Sequence, residues 1–90
     1  MTIIHKPEQS CFIMPTESGN AVVDYSWAND VMMLNHAEVP AALRGTGSGG
    51  RLAQGVFQQI ETMGVKAKPI CPFLIKAAKS DPRWRALFGI

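Results

Sequence analysis

The sequence predicts an α+β fold with α/β-like character: a three-strand antiparallel meander, a long helix, a fourth strand parallel to the third, and one or two short C-terminal helices. Three observations predict it. Three stretches rich in β-favouring residues are joined by short turns, which makes a meander the simplest arrangement. Residues 49–63 carry apolar side chains at helical spacing. An alternating stretch follows them, and a strand–helix–strand unit in one sheet implies a right-handed crossover between parallel strands.

The meander occupies the first half of the chain. Residues 10–14 form the first predicted strand, and residues 15–20 have the composition of a turn. Residues 21–27 alternate between two faces and form the second strand. After a turn, residues 31–39 form the third strand, which ends at Pro40 because proline has no N–H to donate.

The long helix and the fourth strand follow a glycine-rich loop. Gly64 is well placed as the end of the helix. Residues 65–70 alternate as the fourth strand, and Pro69 prevents that strand from pairing fully with its neighbour. We therefore expect the third and fourth strands to separate at their C-terminal ends, leaving a gap beside the loop. The apolar stripe of the helix consists of Leu52, Val56, Ile60 and Met63.

The last part of the chain reads as two short helical segments. Pro72 is a good first helical residue for a helix over residues 73–79, and Asp81 is a plausible N-cap for a final turn that begins at Pro82. The length of the chain suits one small domain with one core, so residues 1–90 are predicted to form a single domain.

Composition and charge argue against several classes of protein. The net charge of +2 is too small to favour a nucleic-acid partner. Two cysteines do not suggest a disulfide framework, and two histidines add no recognisable zinc spacing. No signal-peptide pattern and no run of about 20 apolar residues is present, so we expect a cytoplasmic protein with no membrane partner. Four basic residues near the C-terminus form a solvated face or attract an anionic ligand: Lys76, Lys79, Arg83 and Arg85.

The loop before the long helix is the strongest functional feature. Glycine accepts positive φ and has no side chain, so several backbone N–H groups can point at one bound group. The helix that follows adds its unpaired N–H groups and its positive dipole end, which together favour phosphate. The alternative is a flexible connection without a ligand. The loop reads Arg44-Gly45-Thr46-Gly47-Ser48-Gly49-Gly50.

Two nucleotide-binding patterns nearly match this loop. The dinucleotide pattern G-x-G-x-x-G runs from Gly45 to Gly50, but residues 40–43 separate it from the strand and the chain is too short for a doubly wound fold. The same two glycines have P-loop spacing. However, Arg51 and Leu52 replace the Lys and Ser/Thr that bind phosphate and magnesium.

A third pattern fits better. Residues 44–49 have the R/Q-x-x-G-x-G/A form of the acetyl-CoA loop of GNAT acetyltransferases, and they lie in the same place, after a strand and before the long helix. The segments H-A-E-V-P-A-A-L-R-G (residues 36–45) and I-C-P-F (residues 70–73) resemble those of very small single-domain GNAT-like proteins. The resemblance covers roughly residues 25–88. That family usually has a histidine where this chain has Asp81, so any role of that histidine does not transfer.

The resemblance implies acetyl-CoA as cofactor. Loop amides would hold the pyrophosphate, and the pantetheine arm would pair with the end of the third strand near Glu38 and Val39. Arg44 lies near phosphate in this arrangement, or it is a solvated loop cation. The predicted cofactor-binding residues are Val39, Arg44, Gly45, Thr46, Gly47, Ser48, Gly49 and Gly50.

Three side chains are candidates for catalysis. Glu38 and His36 are two apart on one strand and share a face, so either could take a proton from an amine. Their alternatives are an exposed strand glutamate and a hydrogen-bonded, partly buried histidine. Cys71, before a helix N-terminus, could accept an acetyl group as a thiolate, or it is a small buried residue.

These features predict an acetyl-CoA-dependent N-acetyltransferase whose acceptor is a small-molecule or protein amine. The alternative is a CoA or acyl-CoA binding module without turnover, since the chain lacks the N-terminal helices with which larger GNAT enzymes build an acceptor pocket. A nucleotide-phosphate binder unrelated to CoA is a third possibility. The sequence does not indicate the acceptor or the oligomeric state.

Overall fold

A computed structural model describes residues 2–90 and places them in one five-stranded sheet with three helices. The strands are β1 (Ile4–Lys6), β2 (Cys11–Thr16), β3 (Gly19–Ala28), β4 (Val31–Glu38) and β5 (Lys66–Pro69), and the helices are α1 (Ser48–Met63), α2 (Pro72–Lys79) and α3 (Pro82–Phe88). The strands lie in the order β1-β2-β3-β4-β5; each pair from β1 to β4 is antiparallel, and β4 and β5 are parallel. The predicted α+β fold is confirmed.

The meander differs from the prediction in two places. β1 is an additional edge strand that pairs with β2, so the sheet has five strands instead of four. The predicted turn at residues 15–20 is also too long, because Pro15 and Thr16 pair with β3. The real turn is shorter because Thr16 stabilises it: its Oγ1 accepts a hydrogen bond from the N–H of Ser18 at 3.1 Å and donates to the carbonyl of Gly19.

One core lies between the sheet and the helices. Alternate side chains of the strands, such as Phe12, Val23 and Leu34, pack with the predicted apolar stripe of α1. Leu74 of α2 and Trp84 of α3 belong to the same cluster. The helices therefore all cover one face of the sheet, and the opposite face carries no second layer among residues 2–90.

The parallel pair of strands separates as predicted. Pairing between β4 and β5 ends at Leu34 and Pro69, and the carbonyl of Leu34 then accepts the N–H groups of Ile70 at 2.9 Å and Cys71 at 3.2 Å. Residues 36–38 of β4 pair only with β3. A free strand edge therefore borders the gap beside the glycine loop.

A β-bulge precedes this free edge. Tyr25 pairs with Leu34 and Asp24 pairs with His36, so Asn35 is the additional residue on β4. A one-residue insertion shifts the alternation of side chains by one position. Ala37 consequently packs against the core, while His36 and Glu38, on either side of it, face away from the helices.

Glycines in the left-handed conformation mark both ends of α1. Gly47 is the N-cap with φ of 84°, and Gly64 is the C-cap with φ of 71°. The N–H of Gly64 donates to the carbonyls of Ile60 and Glu61, which satisfies the end of the helix. The predicted helix is confirmed, and it begins one residue earlier than expected.

Candidate functional site

A cavity of about 600 Å³, here called the loop cavity, opens where β4 and β5 separate. It brings together the free edge of β4, the glycine loop and the start of α1 and α2. Predicted site residues that line it are His36, Glu38, Val39, Arg44, Gly45, Gly47, Gly49 and Gly50. Ala37, Leu43 and Phe73 line it as well, and sequence reasoning had not proposed them as site residues.

Backbone N–H groups without a protein acceptor lie at the loop end of this cavity. Gly45 and Gly47 have φ of 80° and 84°, a conformation that favours glycine and turns the chain sharply into α1. The hydrogen bonds among residues 2–90 leave the N–H groups of both glycines, and of the first three residues of α1, without a protein acceptor. Such a group of donors at the positive end of a helix dipole suits a phosphate or pyrophosphate.

Thr46 and Ser48 support the shape of the loop with their side chains. Thr46 Oγ1 bonds the carbonyl of Leu43 and lies 2.8 Å from Ser48 Oγ. Ser48 is buried, and Arg51 Nη2 donates to its Oγ at 3.3 Å. These two hydroxyls thus contact the protein, and the N–H of Thr46 donates to the carbonyl of Leu43 at 3.2 Å. The predicted role of Thr46 in ligand binding is therefore not favoured, whereas Ser48 can still contribute its backbone N–H.

His36 and Glu38 lie close together at the other end of the cavity. His36 Nε2 is 3.9 Å from Glu38 Oε2, and their side chains are 60% and 72% exposed. Both project from the face of the sheet that the helices do not cover. The pair therefore has direct access to solvent and to a ligand in the gap, which suits proton transfer to or from water.

Cys71 occupies a different environment. It is the N-cap of α2, where its carbonyl accepts the N–H of Ile75 at 2.9 Å. Its side chain is half-buried against the core and does not line the loop cavity. Cys11 is fully buried, and burial raises the pKa of its thiol, which disfavours the reactive thiolate.

Phe73 forms a wall of the loop cavity that the sequence did not identify. Its ring lies on the first turn of α1: a Cβ atom added to Gly49 would be only 2.8 Å from Phe73 Cζ. The ring is nevertheless 43% exposed, so it is available to a ligand. In the sequence, the feature that could have identified Phe73 as a site residue is its place in the C-P-F segment.

Two further properties concern the described residues as a whole. Within residues 2–90, no group of three or more His, Cys, Asp or Glu side chains is arranged to hold a metal ion. None of the helices in this range has the length and apolarity that a membrane crossing requires.

Comparison with known families identifies the fold. A sequence model of the GCN5-related N-acetyl-transferase family matches residues 11–87. The chain belongs to this family. The match runs from the start of β2 into α3 and so includes every residue lining the loop cavity. No protein of curated function matches the chain.

Family membership sets the general chemistry. GCN5-related N-acetyltransferases transfer acyl groups, generally use acetyl-CoA and act on amine acceptors. The resemblance inferred from the loop and from the two flanking segments is thus confirmed. The assigned roles of individual site residues remain predictions.

Proposed function

We propose that this protein is an acetyl-CoA-dependent N-acetyltransferase that acts on an amine, and that residues 1–90 work as one GNAT-like domain in the cytoplasm. One observation carries the proposal: a single cavity joins unpaired amides at the start of α1 to an unpaired edge of β4. A ligand with a pyrophosphate at one end and an amide-containing arm at the other fits both features.

Each end of the cavity has a distinct binding role. The N–H groups of Gly45 and of Gly47 to Gly50 would hold the pyrophosphate, and Arg44, which lines the cavity, would add a positive charge. Residues 35–38 of β4, up to Val39, would pair with the pantetheine amides as an added strand pairs with a sheet edge. Bound in this way, acetyl-CoA supplies an activated acetyl thioester.

Side chains at the gap would accept the proton that the acceptor amine must lose. An amine attacks a thioester only after it loses its ammonium proton. Glu38 is the proposed base, acting directly or through water, and His36 at 3.9 Å from it is placed to share the proton. Cys71 does not line the cavity. Direct transfer to the amine is therefore proposed over an acetyl-cysteine route.

A thermal-shift comparison of acetyl-CoA, CoA, ATP and NAD tests the ligand class. Acetyl-CoA and CoA should raise the Tm, because a ligand that binds only the folded state stabilises it. Gly47→Ala should abolish that shift, whereas Gly64→Ala should retain it. The two glycines cap opposite ends of α1 at similar positive φ, so both substitutions strain the backbone alike. Stabilisation by ATP or NAD but not by CoA would contradict the proposal.

Release of CoA thiol in the presence of a panel of amines tests turnover. Glu38→Gln should lower the rate most below the pKa of the acceptor amine, where a base is needed. Glu17→Gln, in the exposed turn after β2, is the matched control and should leave the rate unchanged. Cys71→Ala should retain transfer; loss of transfer with CoA binding intact would favour the covalent route.

A CoA-binding module without turnover is the second candidate. The high exposure of His36 and Glu38 favours it, because neither is held in an enclosed acceptor pocket. Tight CoA binding with no thiol release across primary amines, polyamines and lysine peptides would assign this role.

A further inference from the structure

The face of the sheet opposite the helices carries a line of apolar side chains that ends at Glu38. In register, Ile4 of β1 pairs with Ile13 of β2, and Ile13 pairs with Val22 of β3. Val22 pairs in turn with Glu38 of β4. Residues paired in this way project from the same face of a sheet, with Cβ atoms about 5 Å apart. We call Ile4, Ile13 and Val22 the apolar row.

The apolar row lies outside the hydrophobic core. Phe12 and Met14, the neighbours of Ile13 along β2, are fully buried in the core, so Ile13 projects from the other face. Ile4 is 40% exposed, and Ile13 and Val22 are half-buried. Because no second layer covers this face among residues 2–90, the row offers apolar surface to solvent beside the proposed base.

The apolar row is continuous with the loop cavity. Glu38 faces away from the helices and also lines this cavity, so the gap between β4 and β5 reaches the uncovered face of the sheet. From Val22 to Ile4 the row crosses two strand spacings, about 10 Å, in the direction away from the gap. A molecule with its amine at Glu38 can therefore lay the rest of its length on the row without meeting a ligand at the loop amides.

The neighbouring row of side chains is polar, but its charges balance. Lys6 pairs with Cys11, and Cys11 pairs with Asp24. The side chain of Cys11 is buried, so this row presents one basic and one acidic group on either side of it. A second ammonium group on the acceptor gains no net attraction here, whereas a hydrocarbon chain gains from burial on the apolar row.

We propose that the acceptor is a primary amine on an aliphatic chain, with its nitrogen at Glu38 and its hydrocarbon on the apolar row. This rests on the proposed function, because it names the acceptor class of the same site. The amine nitrogen forms a bond to the acetyl carbonyl carbon as the C–S bond breaks. Of the two protons that the ammonium group loses, Glu38 receives one and the CoA sulfur takes the other.

A second copy of the chain is the competing occupant of this face. A stable protein interface buries about 800 Å² on each partner, and three partly exposed side chains supply far less apolar surface than that. On β5, Lys66 and Lys68 flank Ala67, which packs against the core, so both lysines project from the uncovered face. A partner covering the whole face would have to pair or desolvate these exposed ammonium groups, whereas a small amine would not.

Rates of CoA thiol release with butylamine, hexylamine and octylamine test the acceptor class. The three amines have nearly the same pKa, so they differ in hydrocarbon length alone. The value of kcat/KM should rise about twofold for each added CH₂, roughly half of the free-energy gain for full burial. Putrescine should react no faster than butylamine. Rates independent of chain length, or a preference for putrescine, would overturn the assignment.

Two matched valine substitutions test the location of the chain. Val22 and Val31 are both half-buried on the uncovered face, but Val31 pairs with Ala28 at the opposite end of β4 from Glu38. Threonine keeps the shape of valine and replaces one methyl group by a hydroxyl. Val22→Thr should lower kcat/KM for octylamine about fourfold, the effect of one apolar carbon, and Val31→Thr should leave it unchanged. Equal rates in the two variants would contradict the proposed location.

Two measurements separate this inference from the proposed function and from the competing occupant. Thiol release with no amine, although acetyl-CoA raises the Tm, would overturn the proposed turnover and the acceptor class with it. Turnover of short and long amines at one rate would overturn the acceptor class alone. Analytical ultracentrifugation of the unmodified protein should show no dimer that Ile13→Asp dissociates; such a dimer would assign the uncovered face to a second copy instead.

Discussion

The packing of Phe73 on the first turn of α1 can be tested by adding a single methyl group. A Cβ atom built on Gly49 lies 2.8 Å from Phe73 Cζ, whereas one built on Gly50 meets no atom within 4 Å. Ordinary contact begins near 3.4 Å, so in Gly49→Ala the ring must retreat by about 0.6 Å. Gly50→Ala adds the same methyl group to the same turn without a clash.

The size of the effect follows from two opposing terms. Replacing glycine by alanine within a helix gains up to about 1 kcal/mol, whereas overpacking costs about 1–3 kcal/mol in a closed core and less against a ring that is 43% exposed and can move. Gly50→Ala should therefore be slightly more stable than the unmodified protein, and Gly49→Ala about 1 kcal/mol less stable than Gly50→Ala, the lower end of the overpacking range. Urea unfolding followed by circular dichroism measures both free energies of unfolding.

Repeating both substitutions in a protein that also carries Phe73→Ala tests whether the Phe73 ring causes the difference in stability. With the ring removed, Gly49→Ala and Gly50→Ala should have the same effect on the free energy of unfolding. If the two substitutions already agree within about 0.5 kcal/mol when Phe73 is present, the close packing is refuted. A difference that persists without the ring would place its origin elsewhere in the loop.

Two further predictions concern the N-terminal segment. Gly55→Ala should destabilise the protein despite its helical position, because its Cβ would clash with Ile3 Cγ1; Ile3→Ala should relieve this in a double-mutant cycle of unfolding free energies. Burial lowers the pKa of His5, whose Nε2 lies 2.6 Å from the hydroxyl of Tyr25. The unfolded chain therefore binds more protons just below pH 6.5, so unfolding free energy should fall as the pH drops through that range. His5→Gln should reduce this loss in urea unfolding measured across the same pH range; an unchanged pH dependence would contradict the assignment to His5.

The sequence predicts those parts of the fold that local chemistry decides. The stripe of α1 and its stop at Gly64 depend on residues within one helix, and both are found. Pro69 correctly predicts the separation of β4 and β5, because a missing N–H limits pairing in any context. The free strand edge and most of the loop cavity follow from these two facts.

The features that were missed depend on distant contacts. β1 has three residues, too few for a recognisable alternation, and exists through pairing with β2. The contact of Phe73 with Gly49 joins two helices, and no spacing in the sequence encodes it. The half-buried position of Cys71 likewise depends on how the α2 N-terminus packs against the core.

The bulge at Asn35 makes the orientation of the candidate site depend on how β4 pairs with β3. His36 and Glu38 reach solvent because the bulge shifts the alternation by one position after Leu34, and Ala37 between them packs inward for the same reason. Straightening the bulge with Asn35 retained would turn both side chains towards the apolar core, with alanine outside, whereas deleting Asn35 would let His36 keep its pairing with Asp24 and its face. The pairing offset between two strands therefore determines whether the carboxylate and the imidazole can meet a substrate at all.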